Sequence, residues 1–482
     1  MANKTRNFDL VIIGGGPAGI TAATTATAQN KTVALVDSHH QLGGEGYNVG
    51  TIPSKALRET ALAMSGMKAR NLAGVELTLQ PEAGISDFLS RNQNVRATFN
   101  HAVRKGLESH LTEIFLGDAA FIDPHSITVA PIPKEGELPD VEPILLHGEN
   151  ILIATGSSPI RPAIFPFASG KIFDSDTISG IQRIPKMMAV IGAGVIGSEY
   201  GCTFAALGSK VHVIDVRDKL LPFLDGEISN ALTAAMEESG VTFHWNELVK
   251  KCDVLPSGEV ALTFSSGATL TVDAVLVATG RKGNTYNLDL GAAGIQTGDF
   301  GIIPVDDHFR TKVPHILAAG DVIGFPALAS TSMDQSRRAI KSALGLAVSA
   351  LSPLLPNGIY TIPEVSMVGE TEESLQKERV DYVVGRATYK DNARGQFIGD
   401  KDGFLKLLVR RENMQLLGVH VMGEQATELI HIGLMAMQNK SSVLTFSETC
   451  FNVPTLGSLY KTAALDALRQ IGASELGIPS FF

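Results

Sequence analysis

Cysteine is scarce in this chain. Among 482 residues only Cys202, Cys252 and Cys450 are cysteines, and they lie far apart. They suggest no disulfide framework and no metal cluster, so no metal is assigned and a reducing compartment is expected. Excess positive charge is missing too. The formal net charge is −10, which argues against nucleic acid or an anionic membrane as partner. Long apolar runs are absent: those near Val11 and Val190 are too short to span a bilayer. The opening stretch MANKTRNFDLVIIGGG has no basic segment ahead of a cleavable apolar core. The expectation is a soluble cytoplasmic protein. Apolar residues make up 44% of the chain, ample for more than one core, and the length predicts roughly two to four domains.

Glycine, by contrast, is plentiful, with 48 residues, several of them in motifs. Phe8–Ile13 reads as a buried parallel strand. Gly14, Gly16 and Gly19 follow in the G-x-G-x-x-G spacing, then a helix from Pro17 to about Gln29, a strand Thr32–Val36, and Asp37. Such glycines make a tight turn and let a pyrophosphate meet a helix N-terminus, while the acid binds a ribose hydroxyl. The pattern then recurs. Strand Met187–Ile191, Gly192, Gly194, Gly197, strand Val211–Ile214 and Asp215 repeat it, each glycine and the acid shifted by 178 residues. This is an internal duplication of a dinucleotide-binding unit. Two sites imply two dinucleotides, and a flavin with a nicotinamide is the natural pair. Asp215 argues for NAD, whereas Arg217 and Lys219 offer charge to a 2′-phosphate or stand as solvated loop charges, so both coenzymes stay open.

Between the two units a helix is expected at about Glu82–His110, short strands at Gly117–Phe121 and Ser126–Ala130, a loop at Pro131–Glu142, and a buried strand Ile151–Pro159 ending in a glycine turn. Ala274–Gly280 is a further strand, followed by Arg281 and Asn284. Ile316–Asp321 is another strand, and a helix starts near Ala329, where its N-terminus can stabilise negative charge on a ligand. Pro353, Pro356 and Gly358 mark a boundary. Beyond it, strands at Asp381–Thr388, Phe404–Arg410 and Leu416–Met422, with helices at about Gln425–Gln438 and Leu456–Gln470, make an α+β unit without a cofactor fingerprint. An interface role is the economical reading.

One stretch organises the rest: Gly43–Glu59, GGEGYNVGTIPSKALRE. Its glycines permit tight turns and close approach of backbone to a ligand. Pro53 suits the first turn of a helix entered at Thr51 or Ile52. Lys55 then falls in that first turn, where the helix dipole disfavours a cation, and this points to a partner elsewhere in the fold.

The stretch resembles the active-site segment of the flavin-dependent pyridine nucleotide–disulfide oxidoreductases. FDLVIIGGGPAG, GTIPSKALRE, ATGSSP, VIGAGVIGSEYG, ATGR and AAGDVIGFPALAS carry the resemblance along essentially the whole chain. In that family two cysteines of the segment form a disulfide beside the flavin; here those positions are Gly46 and Thr51. The family's partner-subunit His and Glu fall on Val453 and Ser458. Within the family the finer resemblance is to the soluble pyridine nucleotide transhydrogenases, which also carry Thr at position 51, although they often keep a cysteine at the position of Gly46.

The resemblance implies an α/β fold with two Rossmann-like domains and a C-terminal α+β dimerisation domain. The expected limits are 1–155 for the first part of the FAD domain, 156–284 for the NAD(P) domain, 285–350 for the returning FAD part and 351–482 for the interface domain. It places FAD against Gly14, Gly16, Pro17, Ala18, Gly19 and Asp37, and against Gly43, Gly44, Gly50, Thr51, Ser54 and Lys55. Ala119, Ala120, Ala154, Thr155 and Gly156 continue that site, and Gly320, Asp321, Leu328, Ala329 and Ser330 close it. NAD(P) is implied at Gly192, Gly194, Val195, Ile196, Glu199, Asp215, Arg217, Gly280 and Arg281. Lys55 pairs with Glu199 where the nicotinamide docks, with Val195 as gate. The implied activity is hydride transfer between NADPH and NAD⁺ through FAD, in a homodimer or a larger assembly built from it. An NAD(P)H oxidase or diaphorase, and a non-catalytic flavoprotein sensor, are the alternatives. Cys450 and Cys202 are expected to be buried structural cysteines, and His431 a packed or interfacial helix residue.

Overall fold

The computed structural model describes residues 5–64, 85–108, 111–132, 142–349 and 352–472. Strand β1 (Arg6–Ile13) is buried from Leu10 onward and lies between Val33–Asp37 (β2) and Ile144–Ile153, parallel to both. Continuous apolar runs of this kind are what a parallel sheet covered on both faces requires. Helix α1 (Pro17–Thr27) joins β1 to β2 and buries Ala18, Gly19, Ala22, Ala23 and Ala26. The short side chains let its axis approach the sheet closely. Thr51–Met64 forms helix α2, and Ile316–Ala318 extends the sheet beyond Ile144–Ile153.

Two sequence expectations change here. Gly117–Phe121 is the second half of one strand, Thr112–Asp123, which pairs in parallel with β2 through Leu116 and antiparallel with Ser126–Pro131 from Gly117. A Cβ at Gly117 would stand 2.4 Å from the carbonyl oxygen of Ala130, so glycine marks the change of partner rather than a strand end. Likewise Ile151–Pro159 is not one strand. Ile144–Ile153 ends before Gly156, whose φ of +71° turns the chain, and Ser157–Pro159 pairs separately with Arg281–Gly283. The helix expected at Glu82–His110 is Ile85–Leu107; Glu82 and His110, and 133–141 of the expected loop, lie outside the described residues.

The second sheet repeats the first. Met187–Ile191 (β3), Val195–Ala206 (α3) and Lys210–Asp215 (β4) form the same strand–helix–strand unit, extended by Val241–Trp245 on one side and by Ala274–Val277 and Ile172–Phe173 on the other, all parallel. Helix α4 (Ala329–Ala343) packs against α1. The third sheet is antiparallel, ordered Asn357–Ile359, Val365–Gly369, Leu416–Met422, Phe404–Arg410, Tyr382–Thr388, and is covered by Ala426–Gln438 and Leu459–Ile471. Among the described residues no helix is long and apolar enough to cross a membrane.

A buried ionic joint welds the second unit to the third. Lys406 on Phe404–Arg410 is fully buried, and its ammonium lies 2.7 Å from Asp225, 2.9 Å from Glu227 and in contact with Glu372. Asp225 caps helix Gly226–Glu238 and also accepts the backbone N–H of Glu372, while Glu373 accepts that of Gly226. Two helix N-termini thus exchange carboxylates across the joint, where their dipoles favour negative charge. The three carboxylates have the spacing of a metal site, and the Lys406 ammonium sits among them.

Candidate active site

The duplication read from sequence extends to single bonds. Gly15 N–H donates to Asp37 Oδ2 at 2.6 Å, and Ala193 N–H donates to Asp215 Oδ2 at 2.6 Å. Asp37 Oδ1 accepts the N–H of His39, and Asp215 Oδ1 that of Arg217. Gly14 and Gly192 have φ of +110° and +107°, and a Cβ on either would stand within 2.4 Å of the carbonyl oxygen of Ala154 or Ala278. At Gly19 and Gly197 it would lie 1.9 Å from the carbonyls of Gly14 and Gly192. These glycines are therefore fixed by contact. Gly16 and Gly194 differ: a Cβ at Gly194 meets nothing within 4 Å, and one at Gly16 only Gly44 Cα at 3.8 Å. Neither α1 nor α3 has a side-chain cap. Each helix presents free N–H groups to open space, with Pro17 and Ala18, or Val195 and Ile196, in its first turn. Such an end accepts an anion.

The organising stretch lies on the first of these loops. Gly43 N–H donates to Gly15 O at 2.7 Å, and a Cβ at Gly44 would reach within 2.9 Å of Gly16 Cα. A short helix Gly44–Asn48, not foreseen from sequence, precedes Gly50 and the start of α2 at Thr51. A Cβ at Gly46 would meet Pro17 Cγ at 3.0 Å, so this backbone is tight against a side chain at the place of the family's first cysteine.

Lys55 has the partner its position calls for. Its Nζ lies 2.7 Å from Glu199 Oε2 and 3.3 Å from Ser54 Oγ, and 4.9 Å from the centroid of the Tyr360 ring. The backbone N–H of Tyr360 donates to Glu199 Oε1 at 2.9 Å. Both Glu199 oxygens are thus engaged, by α2 of the first unit and by a loop of the third. The Glu199 side chain is only 9% exposed, against 26% for Lys55. Tyr360 was not singled out from sequence, because a backbone N–H leaves no mark on residue type.

Other predicted residues converge around the strand ends. Thr155 Oγ1 is buried without a hydrogen-bond partner. Asn284 bridges the returning chain to the carbonyls of Thr155 and Gly156. Asp321 accepts from Ser157 Oγ at 2.9 Å, and Gly320, with φ of +83°, approaches Ala18. Leu328 caps α4 without a side-chain bond, leaving Ala329 and Ser330 in its first turn. Ala119 is different: its side chain packs into the core beside Phe121 and Val129, and with Ala120 it belongs to the antiparallel ladder, so only backbone is available there.

Arg281 stands apart from the second glycine loop. Its Nε donates to Ser157 Oγ at 2.8 Å, its NH2 to Ser157 O at 2.7 Å and to the Glu45 carboxylate, and NH1 to Ser175 Oγ at 3.2 Å. Gly280, with φ of +122°, makes that turn. Glu45 was also missed from sequence. Burial pushes its carboxyl up to about 8 despite the pull of Arg281. At the second acid, Arg217 is no free loop charge: its Nε and NH2 clasp Asp215 at 2.8 and 2.6 Å. Burial raises the Asp215 carboxyl, but these bonds outweigh it and hold the group below its ordinary value.

One thiol, Cys202, lies a single helical turn beyond Glu199. Cys202 is buried on α3, and burial drives its thiol up to about 12. Cys450, expected to be buried, is exposed. It follows the short helix Leu444–Glu448, and Val453 nearby is 81% exposed. His431 is likewise exposed on Ala426–Gln438.

Comparison with known proteins agrees with this geometry. The pyridine nucleotide-disulphide oxidoreductase model matches residues 8–340, and the family's dimerisation domain matches 355–464. The soluble pyridine nucleotide transhydrogenase of Mycobacterium bovis is 43% identical, covering 97% of this chain and 98% of its own. That of Chromohalobacter salexigens is 40% identical, covering 96% and 99%. Among solved structures, the HOCl-induced flavoprotein disulfide reductase RclA from Escherichia coli superposes with a TM-score of 0.85 at 26% identity, over 95% of this chain and 99% of that one. LpdA from Mycobacterium tuberculosis gives a TM-score of 0.86 at 27% identity, over 94% and 98%. The duplicated glycine loops, the interface domain and these matches together make the chain a member of the pyridine nucleotide-disulphide oxidoreductase family.

Proposed function

We propose that this chain is an FAD-dependent soluble NAD(P)⁺ transhydrogenase that works as a homodimer. NADPH and NAD⁺ become NADP⁺ and NADH, one hydride with its two electrons passing from donor to acceptor, so no other reactant is consumed. The observation that carries the reading is the Lys55–Glu199 pair at 2.7 Å, which ties the flavin segment to the first turns of the second dinucleotide unit. Gly46 and Thr51 occupy the positions of the family's two cysteines, and Val453 and Ser458 those of its partner-subunit His and Glu. Neither a disulfide nor its acid–base pair is present to divert electrons to thiols. The full-length relatives named soluble pyridine nucleotide transhydrogenase support the same reading.

The first unit fits FAD. The uncapped N-terminus of α1, the open space above Gly16 and the unpartnered Thr155 hydroxyl are a cradle for a diphosphate and its ribityl chain. FAD supplies the centre that takes a hydride from one nicotinamide and gives it to the next. The chain's residues bind, orient and shield. Asp37 and Asp215 shape the adenosine ends of the two sites, and the Asp215–Arg217 pair offers both a carboxylate to a ribose hydroxyl and a guanidinium to a 2′-phosphate. Lys55 and Glu199 would hold charge fixed beside that centre. Val195 and Ile196 line that approach from α3. We draw domain limits at 155 and 284, on either side of which Ser157–Pro159 pairs with Arg281–Gly283, and at 350, ahead of the third sheet's first strand Asn357–Ile359. We assign the protein to the cytoplasm, as a homodimer or a larger assembly built from it.

Steady-state rates with NADPH and a thionicotinamide analogue of NAD⁺ test the proposal. Parallel double-reciprocal lines are expected, because both nicotinamides use one pocket in turn. Turnover that requires oxygen or a quinone, with no transfer to the analogue, refutes it.

A further inference from the structure

Glu45 lies in the first turn of the short helix Gly44–Asn48, whose N-cap Gly43 bonds to the first glycine loop. Its carboxylate meets the Arg281 guanidinium. That guanidinium is pinned from behind by Ser157 O, Ser157 Oγ and Ser175 Oγ, and Ser157 Oγ in turn donates to Asp321. Asp176 lies 3.7 Å from Arg281 NH1. One cation therefore faces two carboxylates, Glu45 and Asp176, with Asp321 joined to it through Ser157 Oγ. A bound diphosphate adds further negative charge to the same neighbourhood. Arg281 cannot follow Glu45 outward without giving up Ser157 and Ser175.

Resting on the reading of this loop as an FAD site, we propose that Glu45 is a proton-linked determinant of FAD binding. Protonated, it leaves Arg281 free to neutralise the diphosphate and itself offers an O–H donor; ionised, it competes with the diphosphate for Arg281. FAD binding then takes up a proton wherever Glu45 of the free protein is ionised. Burial, with Asp176 and Asp321 facing it and Arg281 opposing them, sets that boundary at about 8. The sign follows from linkage: the FAD-bound form holds the proton more tightly, so affinity is constant below the boundary and falls above it.

The test is FAD affinity across pH 6–9.5, read as flavin fluorescence released from diluted holoenzyme and recovered by back-titration with FAD. The wild type should show a flat dissociation constant up to about pH 8, rising toward about tenfold per pH unit above it. Glu45→Gln, which keeps shape and loses the charge, should be flat throughout and bind more tightly than wild type at pH 9. Glu45→Thr provides a second uncharged side chain, and circular dichroism establishes that each variant is folded. A wild-type slope retained in both variants, or weaker binding by both at every pH, overturns the proposal. The titration uses no nicotinamide, so a failed transhydrogenase assay leaves it standing, whereas a wild type that holds no FAD removes both readings.

Discussion

Replacing Glu199 with Gln is expected to slow flavin bleaching by NADPH about a hundredfold, the scale on which a displacement near 1 Å at a hydride-transfer centre is felt. The reason lies in how the carboxylate is used. Oε2 holds the Lys55 ammonium at 2.7 Å and Oε1 accepts the N–H of Tyr360 at 2.9 Å. An amide has one acceptor, so its NH2 must face a donor, either the ammonium or the peptide N–H. In the first case Lys55 is released, in the second the Tyr360 N–H loses its acceptor, and either way one anchor of the site is lost. Lys55→Met acts from the other side, leaving a carboxylate that is 9% exposed with one backbone donor, at a cost of about 1–3 kcal/mol. Tyr360→Leu keeps the N–H and removes only the ring beside Lys55, a contact worth about 0.5–2 kcal/mol, so its effect should be intermediate. Rapid mixing under nitrogen measures all three. Wild-type bleaching rates in both the Glu199 and Lys55 variants would take the pair out of the mechanism.

The second large effect concerns the ionic joint. Lys406→Met leaves Asp225, Glu227 and Glu372 facing one another without their central cation. Breaking a buried ion pair from one side costs about 3–5 kcal/mol, and that loss is expected in denaturant unfolding of the holoenzyme. The pH dependence has a definite sign. Burial raises the Asp225 and Glu227 carboxyls, but bonds from Lys406, and from Arg386 to Glu227, outweigh it and hold both below their ordinary values of 3.8 and 4.5. Groups depressed in the folded state stabilise it above their unfolded pKa, and the benefit disappears as pH falls through the folded value. The gap between wild type and Lys406→Met should therefore be full near neutrality and narrow below about pH 4, where protonation relieves the stranded acids. An equal unfolding midpoint for the two proteins at pH 7 would show that the joint does not stabilise the fold.

Much of this architecture is legible in the sequence because backbone geometry forces residue type. Gly14, Gly19, Gly192 and Gly197 cannot carry a Cβ, so the duplicated loops announce themselves, and their acids follow at a fixed spacing. Lys55 was half legible. Its place in a helix first turn signals a missing partner, but Glu199 is 144 residues away and only the family resemblance named it. Gly117 misled, since a glycine that makes room for the Ala130 carbonyl looks the same as one that ends a strand. Glu45 sits unremarked among glycines, and nothing local reveals an arginine 236 residues further on. Cys450 was misjudged because burial of a lone cysteine depends on which layer covers its loop. Long-range polar pairs and loop cover are set by tertiary placement, and neither leaves a periodic trace.

In the proposed reaction, hydride would pass from one nicotinamide to another by way of a single bound flavin. The most direct measurement is anaerobic double mixing, followed at the flavin absorbance band. Holoenzyme is mixed first with NADPH and then with NAD⁺. Bleaching is expected in the first mix and rapid recovery in the second, with NADH appearing in equal amount. Bleaching that NAD⁺ leaves unchanged, and that only air reverses, would contradict it and identify an oxidase instead.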